Sequence, residues 1–417
     1  MASVVLRFST LFQHGRTPGQ EFLGRNLKPS TPTARAWLTA LGLAFGPTVA
    51  LGFARFAYAL LLPAMRTELH WTYSLSGGIN TANALGYLIG AILATPAMRI
   101  YGTKLAFIVA LFVTALALIG LGIGDHYVWL IFARGLAGVG GAVIFIAGGA
   151  LTAHAASSAP PKLAGLMLTT YYAGAGLGIF LSGISLPFAL AANTNWRTLW
   201  VILGLASLVV SVISSYTAWG LKTQHTQPST AGSWSARGLI LPLLAYACFA
   251  LGYIAYMTFS VAFIKAGGAT TLQIAIFWAT LGLAAMLAPR VWSVPITRWR
   301  GARGMAAAMT SLAFGAGLPL VSSQFLVMLI SALAFGGSFL SVVASTTALA
   351  RRDLPAGAWN AGIALFTVVF AAGQSFGPLI SGALSDGAGG LRAGLAWSAA
   401  VLALGAVIAF AQPAKAD

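Results

Sequence analysis

Long apolar runs alternate with short polar breaks along almost the whole chain. A bilayer-crossing α-helix takes about 20 mostly apolar residues. Twelve stretches meet that requirement: 37–63, 74–95, 105–124, 127–153, 163–191, 198–219, 238–264, 272–289, 304–322, 325–349, 359–384 and 393–412. The pattern predicts an all-α membrane protein of twelve transmembrane helices. Lys222 to Arg237 is rich in Ser, Thr, Gln and Gly and separates two sets of six. The expected organisation is a six-helix bundle over 37–220, a linker over 221–237 and a second bundle over 238–412. Residues 1–36, polar and broken by Pro18, Pro29 and Pro32, read as a disordered basic tail, and 413–417 as a short C-terminal one.

Composition agrees. Of 417 residues, 59% are hydrophobic and 7% charged, against about 25% charged in soluble domains. A net charge of +17 would suit a nucleic-acid partner. Here the basic residues are scattered over the connections, so lipid and a small solute are the expected partners and nucleic acid is not. With the spans alternating, 17 Lys and Arg fall on the side of the termini, and only Arg66, Arg197, Lys265 and Arg392 fall opposite. That bias places both termini in the cytoplasm of a multi-pass inner-membrane protein. The single cysteine, Cys248, excludes an intrachain disulfide and argues against a metal cluster. A monomer without cofactor is expected.

The two halves repeat at a fixed offset. Pro96-Ala-Met-Arg99-Ile-Tyr-Gly102-Thr-Lys104 corresponds to Pro295-Ile-Thr-Arg298-Trp-Arg-Gly301-Ala-Arg303, 199 residues on. Gly174, Gly178 and Ser182-Gly183 in the fifth span correspond to Gly373, Gly377 and Ser381-Gly382 in the eleventh, again 199 apart, as are Gly138 and Gly337. Two bundles of equal orientation, related by an axis along the membrane normal, place a central site at their interface.

Two arginines lie inside spans, Arg55 and Arg134, whereas Glu21, Glu68, Asp125, Asp353, Asp386 and Asp417 all fall outside the apolar stretches. A charge at bilayer depth costs about 2.5–3.5 kcal/mol and marks a pathway or a bundle interior. With no acid available, carbonyls, aromatic faces or an anionic substrate must answer Arg55, whose planar fork suits a carboxylate, sulfonate or phosphate. Under α-helical spacing Gly52 and Tyr58 share its face. Polar stripes add Asn80, Asn83 and Tyr87 in the second span, Tyr246, Phe249, Tyr253 and Tyr256 in the seventh, and Asn360, Thr367 and Gln374 in the eleventh. The candidate substrate-binding set is Arg55, Tyr58, Asn80, Asn83, Tyr87, Tyr172, Tyr253, Tyr256, Trp278 and Gln374. Interhelical packing is the competing reading for each amide and ring. Arg134 with Gly138, Gly174, Gly178, Gly377 and Pro378 form a structural and gating set, together with the loop residues Arg99, Gly102, Lys104, Arg298, Gly301 and Arg303.

These motifs resemble the major facilitator superfamily over nearly all of 37–412. Gly102-x-Lys104 after Arg99 is similar to its loop between the second and third helices, although Met98, Arg99 and Ile100 leave no aspartate there. Leu130-x3-Arg134-x3-Gly138-x-Gly140-x-Ala142 is similar to its fourth-helix pattern, and Gly165-x8-Gly174-x3-Gly178 to its fifth. Gly52-Phe-Ala-Arg55-Phe-Ala-Tyr58, Leu62-Pro63-Ala64-Met65 and Gly86-Tyr87-Leu88-x-Gly90-Ala91 resemble the YbfB/YjiJ-type group. The resemblance implies the major facilitator fold and alternating access.

No Walker-type phosphate loop is present, so the chain alone is not read as a primary pump. The spans offer no acid and no central histidine, which argues against an intramembrane enzyme. Three functions stay open: secondary or facilitative transport of a small organic anion, export of lipophilic compounds including drugs, and a non-transporting membrane sensor.

Overall fold

The computed structural model describes residues 32–157, 159–221 and 235–413. Most of the expected N-terminal tail, the linker and the end of the C-terminal tail lie outside the described residues. Twelve helices are long and apolar enough to cross a membrane. They are α1 (Arg35–Glu68), α2 (Tyr73–Tyr101), α3 (Thr103–Leu121), α4 (Tyr127–Ala156), α5 (Pro161–Ala191), α6 (Trp196–Trp219), α7 (Arg237–Ala266), α8 (Thr271–Arg298), α9 (Arg303–Val321), α10 (Phe325–Asp353), α11 (Ala361–Asp386) and α12 (Gly390–Phe410). Several helices outrun their apolar stretches. α8 continues to Arg298 and α2 to Tyr101, through Pro295 and Pro96. Hydropathy marks where lipid contact ends, whereas a helix stops where its backbone bonds are capped or broken.

The stops and starts are local chemistry. The Thr72 side chain accepts from the Leu75 amide at the start of α2, and Thr270 with Gln273 forms a capping box at α8. Gly102 and Gly301 follow α2 and α8 and have φ of 83° and 59°. The repeat thus keeps glycine where the chain turns through backbone conformations that side-chain-bearing residues rarely adopt.

The packing repeats as well. In the first bundle α1 packs on α5 and α6, α2 on α4, and α3 on α4 and α6; in the second, α7 packs on α11 and α12, α8 on α10, and α9 on α10 and α12. Two large contacts join the halves, α2 with α11 and α5 with α8. The repeat maps α2 onto α8 and α5 onto α11, so these two contacts are copies of one another. Small residues let backbones approach here. A Cβ on Gly176 of α5 would overlap the Gly282 carbonyl of α8, and one on Gly382 of α11 the Tyr73 carbonyl of α2. α11 continues through Pro378, whose carbonyl lies against Gly77 of α2.

The described ends of α1 and α12 lie at one end of the bundle, here the near end. Polar bridges between α2 and α11 cluster at the opposite, far end. Both Asp386 carboxylate oxygens accept from α2: Oδ1 from the Tyr73 amide (2.7 Å), Oδ2 from the Ser74 amide (2.8 Å) and hydroxyl (2.6 Å). Deeper in, Thr81 Oγ1 donates to the Ser375 carbonyl at 2.8 Å. Among the described residues, α2 and α11 exchange no hydrogen bonds in their near halves.

α1 departs from an ordinary helix. Thr48–Phe56 is π-helical, and the Ala57 amide reaches back five residues to the Gly52 carbonyl at 3.0 Å. π-Turns are rare and frequently lie at functional sites. Arg55 lies in this segment.

A buried polar cluster between the bundles

The π-segment splits the face that α-helical spacing assigns to Arg55. Gly52 packs backbone to backbone on Gly178 of α5 rather than beside the guanidinium. Tyr58 lies under the other intramembrane arginine, with Arg134 Cζ 4.8 Å from its ring, and donates to the Ser76 carbonyl at 2.8 Å.

Arg55 is 3% exposed and reaches into the second bundle. Its Nη2 donates to Oε1 of Gln374 on α11, and Tyr253 of α7 donates to the same oxygen at 3.1 Å. The Tyr87 ring faces the guanidinium with its centroid 5.4 Å from Cζ, and Phe56 adds a second ring at 5.9 Å. Among the described residues no carboxylate forms an ion pair with Arg55. Arg55 Nε and Gln374 Nε2 are buried and have no partner. The site therefore gathers a cation and two unanswered N–H donors around one neutral acceptor. Buried donors without partners cost about 1–3 kcal/mol each, so the cluster is chemically set for an acceptor-rich guest.

Arg134 is fully buried and better satisfied. Nη1 donates to the Ala54 carbonyl inside the π-segment, and Nη2 donates to Asn80 Oδ1 at 2.9 Å. Asn80 Nδ2 then donates to Thr258 Oγ1 of α7 at 2.6 Å, carrying the chain of bonds across the interface. Asn83 donates to the Arg134 carbonyl at 3.1 Å. Two arginines thus brace consecutive residues of α1, Ala54 and Arg55, and each is tied to the second bundle through an amide side chain.

Four of the sequence-derived binding candidates meet: Arg55, Tyr87, Tyr253 and Gln374. Asn80, Asn83 and Tyr58 gather around Arg134 instead. Tyr256 shares a hydrogen with Ser331 at 2.6 Å within the second bundle. Trp278 packs on Gly183 of α5, and its buried Nε1 has no partner. Tyr172 is 39% exposed and touches the Phe145 and Tyr171 rings. The Asn360 side chain lies outside the described ones. Of the gating candidates, Pro378 meets the other half at Gly77, whereas Lys104 stays within its own and donates to the Trp219 carbonyl at 3.0 Å. Gly138 fits against the Asn83 carbonyl.

Sequence reasoning missed four contributors. Thr258 receives the Asn80 bond. Phe339 and Phe370 extend a stack with Tyr246, Phe249 and Tyr253, whose rings lie within 16° to 22° of parallel in successive pairs along Tyr253–Phe249–Tyr246–Phe370. Asp386 stands just past an apolar run and read as a loop residue; its one signal was to be the lone acid closing the eleventh span.

A buried cationic cluster between two six-helix repeats defines a carrier-type membrane protein. The family model described as "Uncharacterised MFS-type transporter YbfB" matches residues 47–410, and the chain belongs to this family of the major facilitator superfamily. Solved structures agree on the fold. A bacterial homologue of the human lysosomal transporter Spinster, solved inward-facing and unoccupied, is 16% identical, with a TM-score of 0.67 over 91% of this chain and 97% of that one. A D-xylose–proton symporter is 14% identical, with a TM-score of 0.67 over 91% and 97%. The nucleoside transporter NupG is 10% identical, with a TM-score of 0.67 over 89% and 98%. No curated protein matches the sequence. The chain is a transporter of small solutes and not an enzyme.

Proposed function

We propose that this transporter carries a small organic anion across the cytoplasmic membrane by alternating access, as a secondary active or facilitative carrier. The observation that supports the reading is the acid-free setting of Arg55: a buried guanidinium whose contacts are one neutral amide oxygen and aromatic faces. A carboxylate, sulfonate or phosphate bonds a guanidinium about twice as strongly as a neutral amide does. It would take the place of Gln374 Oε1 and accept from both Arg55 and Tyr253. Arg55 would then release the second bundle. Cargo binding would thereby loosen one bridge between the halves, which links occupancy to movement. The bias of Lys and Arg orients both termini to the cytoplasm, and the polar bridges at the far end fit a state closed toward the outside.

The aromatic stack around Tyr253 favours a second reading, export of lipophilic compounds, and one experiment separates the two. Thermal stabilisation of the purified protein is measured with carboxylates, sulfonates, phosphate esters, neutral sugars and lipophilic cations. A ligand at 100 times its Kd stabilises by about 2.7 kcal/mol. Stabilisation by an anion that is lost in Arg55→Gln supports the proposal. Stabilisation by lipophilic cations or sugars alone overturns it.

A further inference from the structure

A groove of about 660 Å³ lies away from the central cluster, on the outer surface between α9 and α12. Its floor is alanine, including Ala307 and Ala403, and Trp299, Val407 and Phe410 form its walls. Val407 and Phe410 are each 67% exposed, so the groove opens to what surrounds the bundle. Arg303 closes its near end. The lining runs along α9 from Arg303 to Ala313, about 15 Å at the helical rise of 1.5 Å per residue. That is half of a hydrocarbon core about 30 Å thick, the depth of one leaflet. A partner helix crossing the membrane would need a groove twice as long.

The charge at the mouth is available. Lys104, the repeat counterpart of Arg303, spends its ammonium on the Trp219 carbonyl. The exposed Arg303 side chain has no hydrogen-bond or ion-pair partner among the described residues. Trp299 stands in the short connection just before it, and indoles favour the headgroup level of a bilayer.

We infer that this groove is a binding site for one anionic phospholipid of the near-side leaflet. Its phosphate rests on Arg303 and one acyl chain lies along the alanine floor. A guanidinium at the headgroup level selects a net negative lipid over a zwitterionic one, and the alanines leave the width that the chain fills.

The test uses the full-length protein in nanodiscs of phosphatidylcholine mixed with phosphatidylglycerol, released for native mass spectrometry. Retained phosphatidylglycerol should exceed phosphatidylcholine by about fivefold. Arg303→Gln should remove the preference and Arg303→Lys should keep it. Ala307→Trp, which leaves the charge and fills the floor, should lower the retained lipid of both kinds; Ala403→Leu is the second filling variant should the tryptophan prevent folding. An unchanged preference in Arg303→Gln overturns the site, as does full lipid retention in a folded floor-filling variant. Inorganic phosphate stabilising the detergent-solubilised protein as well as short-chain phosphatidylglycerol would also overturn it, because the chain would then contribute nothing.

Discussion

Asp386, the last residue of α11, accepts the backbone amide and the hydroxyl of Ser74 in the first turn of α2, at 2.8 Å and 2.6 Å. One carboxylate thus caps a helix from the opposite bundle, and the bond spans 312 residues of sequence. Helix N-termini hold about half a positive charge and unpaired amides, so the contact is both a cap and an attraction between halves. Any state open at the far end must break it.

Asp386→Asn should therefore shift the protein toward far-side opening. Asparagine offers one acceptor in place of two and no charge. Hydrogen bonds to charged groups contribute about 1.5–3 kcal/mol, which is a roughly tenfold to hundredfold change in population. Hydrogen exchange at the Tyr73 and Ser74 amides reads this directly, because those amides donate to Asp386. Unchanged protection in Asp386→Asn would mean that the surrounding packing alone closes this end.

Much of this architecture was legible along the chain. Spans were readable because lipid demands apolar length, and the repeat because Gly102 and Gly301 both make a turn that other residues rarely make. Arg55 stood out because charge inside an apolar run has few explanations. Gln374 stood in a polar stripe, but its pairing with Arg55 was not legible, since that follows from how the two bundles meet across the interface. The π-segment was invisible too. It arises where Gly52 meets Gly178 and Arg134 reaches the Ala54 carbonyl, tertiary contacts that a period of 3.6 cannot encode. That one change of pitch moved Tyr58 from Arg55 to Arg134.

Gln374→Glu tests the chemistry of the central cluster from the other side. A carboxylate at 374 would pair with Arg55 permanently and fill the place proposed for the cargo. The protein should fold and keep or raise its melting temperature, because the buried cation gains a counter-ion without leaving a partner unpaired. Stabilisation by anions should fall at least about tenfold in apparent affinity, a loss of about 1.4 kcal/mol. Anion binding at the original strength in Gln374→Glu would place the cargo elsewhere.

The two intramembrane arginines should separate stability from function. Arg134→Ala leaves the Ala54 carbonyl and the Asn80 oxygen without the donors they have now. Each buried orphan costs about 1–3 kcal/mol, so this variant should give little monodisperse protein on size-exclusion chromatography. Arg55→Gln removes a charge whose protein partner is a single amide, and should purify with nearly the original yield while losing anion response. Equal yields for the two would show that Arg134 is not the brace its bonds describe.

The near-end turns offer a test of the repeat itself. Gly102 has φ of 83° and ψ of 150°, a region essentially reserved for glycine, where another residue costs about 1–3 kcal/mol. A Cβ there meets nothing within 4 Å, so strain alone is at issue. Gly102→Ala should lower the melting temperature without altering the packing around it, and Gly301→Ala should do the same at the corresponding turn between α8 and α9. The turns lie in different bundles, so the double variant should lose the sum of the two single losses within about 0.5 kcal/mol. A double loss well outside that margin would mean that the two loops meet and act on one another in the native ensemble.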